Sequence, residues 1–268
     1  MLPVTITRAF VLMLTLVGLT GCLWRRPAAV VAPVLPSNLP FDPALLGKDA
    51  TGLAAAAERL CGQLTHADQK VLGFTLAQRA YELSPHHTGA ALALARCAAA
   101  RVEWEKDANQ LEAIAELGIE AARSAGAPDR DPRAAYWMAV NLGHTILQRG
   151  YAAMPLVPVE VAALKTAQMS GEIELGGPLR ALGMLYLKAP PWPAGPGDMD
   201  AALEILKQAV ESYPSHPLNH LFYAQALRES GDGEQATREL KRAAELARPE
   251  LWGDNAAKWQ ADVQAAAK

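Results

Sequence analysis

The strongest constraint in this chain is a recurrence of small side chains at matching places in successive stretches. Residues 177–214 run Leu182-Gly183, Tyr186, Gly197-Asp198, Ala202, Leu206, Ala209, Pro214. Residues 217–247 repeat the order with Tyr223-Ala224, Leu227, Gly231, Ala236, Leu240 and Ala243. An earlier stretch carries Leu60-Cys61, Leu64, Ala77, Ala80 and Pro85, and Ala80 precedes Pro85 by the same interval as Ala209 precedes Pro214. Two antiparallel helices touch closely only where side chains are small, while large ones fill the seam to the next pair. Glycines at 231 and 233 suit a helix stop and tight turn, since Gly tolerates positive φ. The abundance of alanine agrees, because Ala has the best helix propensity and lets axes approach.

This order resembles the tetratricopeptide (TPR) repeat. The unit at 177–214 exceeds the repeat's spacing by about seven residues, which fall in the Pro/Gly-rich insertion 189–197. Between the clear units, Gly89–Gly126 and Asp131–Leu175 read as longer helix pairs, with loops at 125–132 and 149–158. The fold class expected is all-α: a TPR-like solenoid of about five antiparallel helix pairs plus a C-terminal capping helix from Glu250.

The N-terminus reads as a targeting segment. Arg8 precedes an apolar run from Ala9 to Leu19, whose 11 residues are too few to span a bilayer. Leu19-Thr20-Gly21-Cys22 resembles the bacterial lipobox. The resemblance implies a signal peptide over 1–21 and a diacylglycerol thioether on Cys22. Acyl chains such as palmitate, two or three together, hold a protein on a membrane where one is marginal. Leu23 after the cysteine, where Asp would retain the protein in the inner membrane, implies the outer membrane facing the periplasm. Residues 22–47 form a Pro-rich tether, semi-rigid and extended at about 3.1 Å per residue. The helical domain then occupies 48–268.

A narrower resemblance lies in Pro132, Tyr136-Trp137, Ala139, Asn141 and Leu142-Gly143, followed by Gly177-Pro178, Leu182-Gly183, Gly197-Asp198 and Pro214. With the lipobox and the early unit, this is similar to the TatT family. Its members are periplasmic TPR lipoproteins associated with tripartite ATP-independent periplasmic (TRAP) transporters. The resemblance covers most of residues 50–215, and the unit at 217–247 extends beyond it. It implies a non-enzymatic accessory lipoprotein that trimerises, binds a periplasmic solute-binding protein, and holds an apolar ligand in a cleft. The wider TPR resemblance leaves open a general envelope assembly or pilus-biogenesis scaffold whose groove holds partner peptides.

A net charge of -3 leaves no basic footprint for nucleic acid. Cys61 and Cys97 stand 36 residues apart, on first helices of consecutive pairs. They suit either of two arrangements. One is a disulfide in an oxidising compartment, contributing about 3–4 kcal/mol by loop closure. The other is two buried thiols standing in for alanine. His86-His87 and the pair His216/His220 lack the companion ligands that structural zinc requires. They read as solvated turn residues and a packing His220, with no metal or cofactor. No nucleophile elbow, phosphate loop or HExxH motif occurs, so no enzyme is indicated. Glu103, Glu105, Lys106 and Asp107 read as a solvated helix face. The candidate ligand or partner groove is aromatic: Tyr136, Trp137, Tyr151, Tyr186 and Trp192, with Asn141 one turn from Trp137. Helical aromatics serve equally as core, whereas Trp192 lies in a loop that belongs on the surface.

Mass spectrometry of the mature protein is expected to find Cys22 as its first residue, carrying acyl groups. Any other mature N-terminus removes the anchor.

Overall fold

Carboxylates set where five of the described helices begin. In a computed structural model, which describes residues 49–62, 65–170 and 172–268, Asp49, Asp107, Asp131, Asp198 and Asp232 each accept first-turn backbone N–H groups. They start α1 (Ala50–Leu60), α4 (Ala108–Ala125), α5 (Pro132–Arg149), α8 (Met199–Ser212) and α10 (Gly233–Leu246). The imidazoles of His87 and His216 do the same for α3 (Thr88–Val102) and α9 (Pro217–Ser230). Such caps satisfy donors that the helix itself leaves orphaned. The remaining helices are α2 (Ala67–Leu83), α6 (Val157–Ala167), α7 (Gly177–Lys188), α11 (Pro249–Trp252) and α12 (Asp254–Ala266). The signal peptide, Cys22, the tether and Leu64 lie outside the described residues.

The helices pack as five antiparallel pairs, α1/α2 to α9/α10, each stacked on the next, with α12 as the cap. The expected all-α TPR-like solenoid is the observed fold. The small residues fall at the contacts. Ala202, Ala209, Ala224, Ala236 and Ala243 are fully buried, and a Cβ on Gly183 would lie 2.5 Å from Leu206 Cγ.

Cys61 is the C-cap of α1, where Thr65 Oγ1 donates to the carbonyls of Leu60 and Gly62 and the chain turns. Three local readings need correction. The run 103–107 is the α3–α4 turn, where Glu105 accepts the backbone N–H groups of Lys106 and Asp107, and Asp107 caps α4. The span 150–156, expected as loop, is a 3-10 helix. His216 is not solvated: it is fully buried, with its ring centroid 4.8 Å from Trp252 and 5.4 Å from Trp259.

Among the described residues the apolar interior divides into a large cluster from α1 to α7, a second from α7 to α12, and a small third of Ala247, Trp252, Ala256 and Trp259. The first two meet at α7. Polar groups join them. Arg180, buried at the start of α7, donates to the carbonyls of Glu174 (2.9 Å) and Leu175 (2.8 Å) and to Asn219 Oδ1 (2.9 Å). Asn219 on α9 donates in turn to the carbonyls of Leu175, Ala209 and Tyr213. These bonds hold Glu174, Leu175 and Gly176, three consecutive residues with positive φ. The Glu174 carboxylate reaches back 2.8 Å to Arg96 on α3.

The far end of the array is tied to its beginning. Asp254, opening α12, lies 2.8 Å from His66 Nδ1 and accepts the N–H of Ala67 at 2.9 Å, capping α2 from the far end of the chain. Lys70 donates to Asn255 Oδ1 (3.1 Å), Lys258 approaches Glu103 at 3.3 Å, and both lysines stand over the Trp104 ring. The hydrogen bond to Asp254 raises the His66 pKa above its ordinary value.

Replacing Arg180 with Met is expected to destabilise the fold by about 3 kcal/mol in urea denaturation, because Asn219 Oδ1 and the Glu174 carbonyl lose this donor and the Leu175 carbonyl keeps only Asn219. Stability is also expected to depend on acid. Burial depresses the His216 pKa from 6.5 to about 2. Below pH 6.5 the unfolded chain therefore takes up a proton that the folded chain refuses. The stabilisation is complete above that pH and falls as pH drops, by up to about 1.4 kcal/mol per unit. Denaturation at pH 7.5 and 5.0 checks this. An equal slope in His216→Gln would assign the sensitivity to another group.

Candidate functional site

The aromatic candidates separate by position. Tyr136 and Trp137 on α5 are both buried, with ring centroids 4.7 Å apart and the Arg96 guanidinium 5.7 Å from the Trp137 ring. Gly177 makes room for Tyr136: a Cβ there would lie 2.4 Å from the phenolic oxygen. Burial pushes the Tyr136 hydroxyl well above the usual phenol range. Asn141, fully buried, donates to the carbonyls of Ala95 (2.9 Å) and Trp137 (2.7 Å), linking α3 to α5. Gly118 on α4 comes so close that an added Cβ would lie 2.4 Å from the Asn141 oxygen. These three residues therefore clamp helices together instead of facing an open groove. Tyr186 is half-buried and packs against both larger apolar clusters. Tyr151 falls in the 3-10 helix, and its side chain lies outside the described residues.

Trp192 differs from all of them. It is 84% exposed, at the tip of the segment joining α7 to α8. The segment is braced by its own backbone. Ala194 and Gly195 donate to the Pro191 carbonyl, Gly197 to that of Pro190 (2.8 Å), and Asp198 to that of Tyr186 (3.0 Å). Side chains at 195 and 197 would collide with backbone, since a Cβ on Gly197 would lie 2.2 Å from the Ala189 carbonyl oxygen. Four prolines fix φ over the same stretch. Asp198 then caps α8 through the N–H of Ala201. The indole is thus carried outward by a frame that does not use it.

Cys61 and Cys97 are joined, with an S–S distance of 2.10 Å, linking the end of α1 to α3. Their bond lies in the large apolar cluster, away from any open surface.

Two features escaped sequence reasoning. Trp104 was hidden inside a charge run, although an aromatic residue beside a helix end is itself a signal of packing. The lysines that meet on it come from opposite ends of the chain and have no local signature.

Residues 195–253 match the tetratricopeptide repeat family. The matched TPR segment begins in the Trp192 loop's second half and runs through α8, α9, α10 and α11. No curated protein matches the sequence. TPR arrays serve as scaffolds for protein–protein contacts, built from helices whose exposed edges and grooves meet a partner.

Proposed function

We propose that this protein is a lipid-anchored envelope scaffold of the TatT kind, which presents the Trp192 loop to a periplasmic solute-binding protein of a TRAP transporter. The observation that carries the reading is the solitary indole, 84% exposed on a braced loop. Large rigid aromatics with little conformational entropy to lose are the usual centres of interface energy. The internal use of Tyr136, Trp137 and Asn141 supports a protein partner over an apolar ligand at those positions. The Cys22 anchor and the Pro-rich tether would hold the body close to the outer membrane, where such a partner passes, and a homotrimer would present several loops together.

Trp192→Ala is the test. Immobilised full-length protein is titrated with the purified solute-binding protein. The variant is expected to weaken binding by at least about tenfold while leaving the melting temperature unchanged. Unchanged affinity would remove the loop from the interface, and a large fall in melting temperature would make Trp192 structural.

A further inference from the structure

The cap α12 packs on α10 and α9. The flank left uncovered is a trough of about 520 Å³ between α10 and α12. Leu240 and Ala244 form one wall, Val263 and Ala267 the other, each pair one helical turn apart. Two parallel rows at helical spacing match the ridge of another helix.

The rim carries charge of one sign. Arg228 and Lys241 line the trough, and no Asp or Glu does. Elsewhere on these helices cations are matched: Arg238 with Glu234, Arg242 with Glu245, and Lys258 with Glu103. Among the described residues Arg228 and Lys241 have no ion-pair partner, although the chain as a whole carries a net charge of -3.

We infer that this trough receives an amphipathic α-helix from a partner protein, with an apolar stripe flanked by acidic residues. The inference rests on the reading of this chain as an interaction scaffold, and it places a second contact on a different surface from Trp192.

The probe is a synthetic peptide of about 18 residues, long enough to hold a helix, with a Leu/Ala stripe flanked by Glu. A matched peptide carries Lys in place of Glu. Fluorescence anisotropy on the full chain is expected to show saturable binding of the acidic peptide and at least about tenfold weaker binding of the basic one. Arg228→Glu with Lys241→Glu is expected to reverse that preference. Ala244→Trp, at an exposed position, should fill the trough and block both peptides. Trp192→Ala should leave peptide binding intact, so failure here is separable from failure of the Trp192 interface. Equal binding of the two peptides, no saturable binding, or no effect of the charge reversal overturns the inference. Self-association in sedimentation equilibrium that Ala244→Trp abolishes would also overturn it, since a second copy would then be the occupant.

Discussion

Gly183 lies so close to Leu206 that one added methyl would need the Leu206 side chain to move. The array depends on contacts of this kind. Ala202, Ala209, Ala224, Ala236 and Ala243 repeat them in the later pairs, and an alanine-rich α3 does so in the earlier ones. Where axes approach this closely, neighbouring Leu, Ile and Phe side chains interdigitate at crystal-like density and leave little free volume. The stacking of pairs is therefore a property of which positions are small as much as of which are apolar.

Apolar packing alone does not make one body of the chain. The two larger interior clusters meet at a polar joint, where Arg180 is held by carbonyl and amide oxygens and Glu174 reaches Arg96. A cation enclosed by fixed oxygen acceptors has few alternative arrangements, which makes the joint a device for register. A second polar contact ties α12 to the start of α2 and to the α3–α4 turn. The molecule thus uses apolar contact along successive pairs and adds hydrogen bonds where distant ones meet.

This division shapes the surface left for partners. Aromatic residues on the helices are consumed by packing, and the indole carried by the α7–α8 insertion is not. Loop surroundings made of proline and glycine explain the difference, since the backbone there is braced without any side chain covering the ring. Between α10 and α12 the array also leaves an apolar trough with Arg228 and Lys241 on its rim.

Helical class, the number of pairs and the exposure of a Pro-rich insertion are all local matters, and the sequence alone determined them. Spacing of small residues, capping aspartates and proline stiffness each act within one or two turns of chain. Which aromatics are buried was not legible, because a helix shows both faces in sequence and only the neighbour decides which is inside. Tyr136 needed Gly177 opposite it, and Asn141 needed Gly118. The closure of α12 onto α2 belongs wholly to tertiary structure. It joins groups 188 residues apart through single side-chain bonds, and no periodicity in a sequence encodes a contact made once.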